Sequence, residues 1–216
     1  MILKYRVHKG VVLDVSKHGF DAGAATFGTA FYDEDSGELY LFYTGAYDTN
    51  FTRASIGLAI STNFLSFRKL SEPVLSCEEL NFKEALTPTV FRVGNYFYMA
   101  FACRPFKKGR RICLAFSDDP KGPWNFIKVV AKPEHLWEGN NIDLGPSSIK
   151  VSENEVLIYY SNVVFYAKRY QILFYLTREH IVGRLNYMQR TEFNKLFNLF
   201  HRIIAYPYCF YYTFSE

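Results

Sequence analysis

Three acidic side chains occur near the start of three similar segments of the chain, where they could perform acid–base chemistry. Asp21 and Glu84 each follow an aromatic residue closely, and Asp143 lies three residues before a proline. A carboxylic acid can donate a proton in a transition state, and an ionised carboxylate can act as a base or a nucleophile. The competing interpretation is that each acid accepts hydrogen bonds from backbone amides of its own loop. The residue types thus predict a catalytic set of Asp21, Glu84 and Asp143.

The segments that carry these acids are internal repeats. Each opens with a pair of apolar residues, and an aromatic residue follows eight positions after the first member of the pair. These aromatic residues are Phe20, Phe82 and Trp137. Repetition of this kind is typical of folds that are built from one repeated supersecondary unit.

Each repeat is predicted to form short antiparallel strands. In the second repeat, Gly94 and Asn95 separate two strand-like runs and form a typical two-residue hairpin turn. A polar loop at 105–111 and a turn at 117–123 bound two further strands. Four such strands in about 55–62 residues make one blade of a β-propeller. The sequence predicts an all-β fold, a partial β-propeller of about three four-stranded blades.

The domain boundaries follow from the repeats. The incomplete propeller is expected at 1–177, with blades at about 12–72, 74–130 and 130–177, and a separate tail at 178–216. Within the tail, apolar residues recur with helical spacing and predict an amphipathic helix at about 191–205. This helix could cover an open propeller edge. Alternatively, the tail is an out-of-frame or degenerate remnant of a longer gene, or it binds a membrane surface. The change in amino-acid composition between the repeats and the tail favours the remnant.

Composition and charge argue against several functions. The net charge of +4 arises entirely beyond residue 162, so the neutral body argues against a nucleic-acid surface. The histidines and cysteines show no metal-ligand spacing, and no glycine-rich phosphate loop occurs, so neither metal nor cofactor is predicted. The first ten residues lack an apolar signal segment, and no stretch reaches a membrane span. These features predict a cytoplasmic protein without a membrane partner.

The second repeat contains two further features. Cys103 and Cys113 are expected on neighbouring strands, where a disulfide could form, but buried reduced thiols are the favoured prediction. A basic run is predicted to be a solvated hairpin tip. Its residues are Lys107, Lys108, Arg110 and Arg111.

Several short segments of the repeats carry a family resemblance. They are LYLFYTG at 39–45, IGLAIS at 56–61, TPTVFRVGNYFYMAF at 87–101, ICLAFSDDPKGPW at 112–124 and IDLGPSSI at 142–149. These segments resemble the blades of the five-bladed propeller glycosidases, a superfamily that includes arabinanases and xylosidases, invertase-like enzymes and mannoside phosphorylases. The turn SDDPKGPW is the most specific of them. A full member has five blades, so the chain resembles a truncated member.

The resemblance implies a substrate cleft at the mouth of the propeller axis and a reaction on the glycosidic bonds of oligosaccharides. Such reactions use two carboxyl groups, separated by about 5–5.5 Å for retention or about 6.5–9.5 Å for inversion. Glu84, beside apolar residues, is the expected proton donor, and Asp143 is the expected ionised carboxylate.

This sequence departs from the family pattern at the positions before the proline or small residue that starts each innermost strand. Family members often carry an acid there, whereas this chain has Gly28, Thr87 and Gly145. The alternative function is therefore a catalytically inactive carbohydrate-binding protein or a truncated remnant of a propeller glycosidase.

Further residues are expected to bind the substrate at the mouth. They are Tyr47, Asp48, Arg104, Trp137, Glu138 and Asn162. Tyr47 and Trp137 could stack on a sugar face, and Arg104 could hold a hydroxyl or a carboxylate. Packing between blades is the favoured alternative for Trp137. The open edges of an incomplete propeller also predict self-association.

Overall fold

The computed structural model of the protein describes residues 10–134, 140–152 and 155–162, together with short strands at 174–175, 184–185 and 211–213. All regular secondary structure in these ranges is β-strand. The same ranges contain no helix with the length and apolar character needed to cross a bilayer. The helix predicted at 191–205 lies outside the described residues.

One eight-stranded sheet consists of two four-stranded halves, and its first half, called the first sheet below, has antiparallel strands in sequential order. They are β1 (Ala24–Asp33), β2 (Glu38–Ala46), β3 (Ala54–Ser61) and β4 (Arg68–Lys69). The turn between β1 and β2 ends at Gly37, which has a φ of 68° and donates its amide to the Asp33 carbonyl at 2.9 Å. Glycine adopts this left-handed conformation without steric cost, so it suits the last position of this turn.

The second sheet repeats the same order of antiparallel strands. They are β5 (Phe82–Val93), β6 (Tyr96–Pro105), β7 (Arg111–Ser117) and β8 (Asn125–Ala131). Gly94 and Asn95 alone separate β5 from β6, so the predicted two-residue hairpin is confirmed. A single parallel pair, Ala54 with Glu84, joins β3 to β5 and places the start of β3 beside Glu84.

The third group of strands is built on the hairpin of β9 (Ile142–Ser152) and β10 (Glu155–Asn162). The short strand β13 (Tyr211–Thr213) pairs with β10 on its other side. Two-residue strands β11 (Phe174–Tyr175) and β12 (Arg184–Leu185) pair with each other.

Apolar side chains pack between successive sheets. Phe42 of the first sheet meets the Trp124 ring edge-to-face at 5.8 Å between centroids, and Met99 lies in the same buried cluster. A second cluster joins the second sheet to the β9–β10 hairpin through residues such as Leu114 and Ile142. Complete burial of one such side chain contributes about 1.5–3 kcal/mol. The inner strands β1, β5 and β9 contact one another. The end of the molecule at which they begin, near Ala24, Phe82 and Ile142, is called the mouth below.

Each inner strand has an irregularity near its start. In β1 the pairing skips from Thr26 to Thr29, and in β5 it skips from Leu86 to Thr89. The first skipped residue in each strand, Phe27 or Thr87, has a φ of 49°. A bulge of this kind changes the direction in which its side chains leave the strand.

Cys103 and Cys113 form a disulfide between β6 and β7, with their Cα atoms 6.0 Å apart. The prediction of reduced thiols was therefore wrong for this pair. The reason is the strand register, since Cys113 lies opposite Phe101, only two residues from Cys103 on the same face of the sheet. Cys77 is a buried free thiol.

Candidate functional site

Glu84 lies at the start of β5 and is almost completely buried, with 2% of its side chain exposed. Its Oε1 accepts a hydrogen bond from Nη1 of Arg104 at 3.0 Å, and its Oε2 accepts one from Nε of Arg110 at 2.7 Å. Arg104 is the direct cross-strand neighbour of Glu84 on β6. Charge-assisted hydrogen bonds to both oxygens hold this carboxylate in one position.

Asp143, on β9, reaches the same arginine. Its Oδ2 accepts a hydrogen bond from Nη1 of Arg110 at 2.7 Å, and its Oδ1 accepts one from the Thr87 hydroxyl at 2.9 Å. Asp143 is the more accessible of the two acids, with 13% of its side chain exposed. Glu84, Arg104, Arg110 and Asp143 therefore form one connected group, called the acid–arginine cluster below.

Arg110 is placed by the docking of its loop onto the next blade. Its amide donates to Oδ1 of Asn141 at 2.9 Å, and its carbonyl accepts from the Ile142 amide at 3.2 Å. Gly109 leaves no space for a side chain, because a Cβ there would lie 1.4 Å from the Asn140 carbonyl oxygen. Glycine is therefore required where the loop meets the neighbouring backbone.

The predicted solvated tip is wrong at Arg110, whose side chain is only 25% exposed, while Lys107 and Lys108 are exposed as predicted. Burial by itself would lower the pKa of Arg110. The nearby charges of Asp143 and Glu84 outweigh burial and raise that pKa above its usual value. Arg110 is thus a permanent cation held between two carboxylates.

Glu84 and Asp143 meet because they lie at different positions relative to the irregularities of their strands. In β5, Leu86 is the last paired residue before the bulge, and Glu84 lies two residues before it. In β9, Leu144 holds the corresponding position, and Asp143 lies one residue before it. Successive side chains alternate between the two faces of a strand. The two acids therefore leave opposite faces of their own strands and meet between neighbouring blades.

Asp21 occupies a different environment, on the face of the first sheet that carries Phe20 and Tyr43. Its Oδ2 accepts hydrogen bonds from the Tyr43 hydroxyl at 2.9 Å and from Nζ of Lys69 at 2.6 Å. Burial raises the pKa of Asp21, but hydrogen bonds from Lys69, Ser16 and Tyr43 outweigh it, and the net shift is downward. These contacts do not include Glu84 or Asp143, and they come from side chains rather than from the backbone amides of the competing interpretation. A catalytic role for Asp21 stays a prediction.

The loop between β2 and β3 lies at the mouth, since the end of β2 pairs with the start of β1. Tyr47 is 43% exposed, and the Arg53 guanidinium lies over its ring at 5.9 Å. Oδ1 of Asp48 accepts amide hydrogen bonds from Asn50 at 2.8 Å and from Thr52 at 3.3 Å, and the Thr52 hydroxyl donates to Oδ2. Hydrogen bonding from Thr52 lowers the pKa of Asp48 despite a small opposing effect of burial. Asp48 thus shapes the loop that presents Tyr47.

The structure describes two of the remaining predicted binding residues and not the other two. Arg104 belongs to the acid–arginine cluster, and its side chain is 38% exposed. Asn162 ends β10 and pairs through its backbone with Ile142, next to Asp143. Trp137 and Glu138 lie outside the described residues. Binding roles for all these residues stay predictions.

Three residues of the mouth were not selected from the sequence as binding or catalytic residues. They are Phe27, Thr87 and Arg110. The structure places Phe27, not Gly28, at the position that corresponds to Thr87. Thr87 was named from the sequence only as a position that lacks the family acid before Pro88, and Arg110 could have been found from the adjacent glycine. Across the described ranges, no group of histidine, cysteine and acidic side chains is arranged to hold a metal ion.

Comparison with known proteins connects this geometry to one class of fold. No protein-family model and no curated protein matches the sequence. Among solved structures, a thermostable family-43 glycoside hydrolase is similar over 63% of this chain and 41% of its own, with 20% identity and a TM-score of 0.51. The Bombyx mori GH32 β-fructofuranosidase BmSUC1 is similar over 77% of this chain and 37% of its own, with 21% identity and a TM-score of 0.57.

A third similar structure is Zg3597, a family 117 glycoside hydrolase from Zobellia galactanivorans, with 15% identity and a TM-score of 0.53 over 66% of this chain and 49% of that one. The chain thus spans less than half the length of these three structures. At such identities the likeness establishes the fold, so the chain is a partial β-propeller with the fold of propeller glycoside hydrolases.

Proposed function

We propose that the protein is glycosidase-like and acts on glycosidic bonds of oligosaccharides at the acid–arginine cluster. The observation that carries the proposal is that Glu84 and Asp143, from neighbouring blades, converge on Arg110 at the mouth. Glycoside hydrolysis requires two carboxyl groups near the scissile bond. The similar structures are glycoside hydrolases by name, and that supports the same reaction class.

The two carboxylates are suited to different roles. Asp143 is the more exposed, so it is the group that can reach a bound sugar or water. Both oxygens of Glu84 accept hydrogen bonds from guanidinium groups, and only 2% of its side chain is exposed. Its contacts favour a role in orienting Arg104 and Arg110, rather than the proton-donor role expected from its apolar neighbours. The two arginines can then donate hydrogen bonds to sugar hydroxyls.

A second candidate function is saccharide binding without cleavage. The observation that favours it is that the bulge positions of β1 and β5 carry Phe27 and Thr87, neither of which has a carboxyl group. The oxygens of both cluster acids also accept hydrogen bonds from protein partners. A protein with this arrangement could retain sugar recognition while lacking a group that protonates the leaving oxygen.

The experiment is turnover on aryl arabinosides, xylosides, fructosides and mannosides, with and without phosphate. We expect wild-type turnover, at least about a hundredfold loss in Asp143→Asn, and no loss in the matched control Asp118→Asn, an exposed acid of the β7–β8 turn. If the folded wild type turns over no substrate, calorimetry with the same sugars decides between the candidates. Binding without turnover supports the second one, and absence of binding contradicts both.

Two further proposals concern assembly and location. We propose that copies of the chain self-associate through open propeller edges, which sedimentation velocity at increasing concentration would test. Cytoplasmic location stays a proposal from the sequence. The Cys103–Cys113 disulfide weighs against it, because structural disulfides persist mainly in oxidising compartments.

A further inference from the structure

We propose that Phe27 and Phe51 form an aromatic platform that stacks on one sugar ring of a neutral oligosaccharide. This inference rests on the proposed function and names a specific binding subsite for it. The two rings lie 6.3 Å apart between centroids, with an angle of 49° between their planes. Phe27 comes from the β1 bulge and is 53% exposed, and Phe51 comes from the β2–β3 loop at the same end.

Both residues of the platform adopt an uncommon backbone conformation. The φ angles are 49° for Phe27 and 53° for Phe51. A bulky side chain rarely adopts a positive φ, and such residues persist only where the surrounding structure fixes them. The fold therefore holds two phenyl rings partly in water, where an apolar ligand face that covers them would be favourable.

A chain of contacts connects the platform to the acid–arginine cluster. Thr26, next to Phe27, pairs with Thr44, whose hydroxyl accepts the Thr87 amide at 2.8 Å. The Thr87 hydroxyl in turn donates to Asp143. Phe27 and Thr87 occupy the same position in successive inner strands, so the platform and the cluster lie at the same level of the mouth, one blade apart.

The chemistry of the two parts fits a neutral sugar. A sugar ring has an apolar C–H face, which a phenyl ring can cover, and hydroxyl groups at its edge, which arginine and carboxylate groups can bind. The two arginine charges of the cluster are balanced by the charges of Glu84 and Asp143. The cluster itself therefore carries no excess positive charge that would favour an acidic sugar.

The test is calorimetric titration of the full chain with neutral arabino-, xylo-, fructo- and mannooligosaccharides. The variants are Phe27→Ala and Phe27→Gly, and the second removes the ring while suiting the positive φ. The matched control is Phe64→Ala, because Phe64 is 54% exposed at a φ of 63° but lies in the β3–β4 loop, at the end away from the mouth. Near-ultraviolet circular dichroism verifies that each variant is folded.

We expect each Phe27 variant to bind the preferred oligosaccharide about tenfold more weakly, and Phe64→Ala to bind it like the wild type. Wild-type affinity in folded Phe27→Gly would overturn the platform and leave the proposed function intact. A wild type that binds and cleaves none of the sugars would overturn the proposed function, and the platform with it. The two failures are thus distinguishable.

Discussion

Replacement of Arg110 by methionine removes the group that connects two blades at the mouth. Arg110 donates hydrogen bonds of 2.7 Å to Glu84 and 2.7 Å to Asp143. Methionine retains the apolar length of the side chain but none of its donors, so both carboxylates lose one charged partner. Glu84 is left with Arg104 alone, and Asp143 retains the Thr87 hydroxyl.

The magnitude follows from burial and partner loss. Removal of one member of a buried ion pair typically costs about 3–5 kcal/mol, because the remaining charge is left without compensation. The cost of removing Arg110 belongs at the lower end of this range, because its side chain is 25% exposed and each acid retains another partner. We therefore expect Arg110→Met to lower the free energy of unfolding by about 3 kcal/mol.

The assay is equilibrium urea unfolding followed by tryptophan fluorescence, to which the buried Trp124 contributes. Lys108→Met is the matched control, because Lys108 lies on the same loop but is exposed, and it should change stability by less than about 0.5 kcal/mol. If Arg110→Met lowers the free energy of unfolding by no more than Lys108→Met does, the view that the cluster stabilises the contact between the second and third blades is refuted.

Two further stability experiments test other parts of the structure. Reduction of the Cys103–Cys113 disulfide, whose residues are separated by 10 positions, should lower the free energy of unfolding by about 2–3 kcal/mol. Urea midpoints that do not differ with and without reductant would contradict this. The folded-state pKa of Asp21 is depressed, so its contribution is present above the unfolded value of about 3.8 and is lost as the pH falls below it. The stability difference between wild type and Asp21→Asn should shrink over that acidic range, and a difference independent of pH would count against the Lys69 contact.

Local features of the sequence determined which elements could be predicted. The hairpin at Gly94 and Asn95 depends on residues adjacent in sequence, and its turn chemistry is visible without the fold. The repeat pattern likewise predicts the all-β architecture. By contrast, the partner of β10 comes from Tyr211–Thr213, which no local pattern in the third repeat could indicate.

The site was harder to predict because it depends on register and loop docking. Glu84 and Asp143 were selected as acids near inner-strand starts, but their convergence follows from different offsets to the strand irregularities. Arg110 reaches them only because its loop docks on Asn141 and Ile142. A basic run looks the same in sequence whether it is solvated or docked.

Hydrogen–deuterium exchange with and without a saturating neutral oligosaccharide tests most directly whether the mouth is the saccharide site. We expect ligand protection in peptides that cover the inner-strand starts and their adjoining loops, at 24–29, 47–53, 84–89 and 104–111. The opposite end, at 61–67 and 94–96, should exchange as it does without ligand. Protection confined to that opposite end, or no protection anywhere, would contradict the assignment of the mouth as the saccharide site.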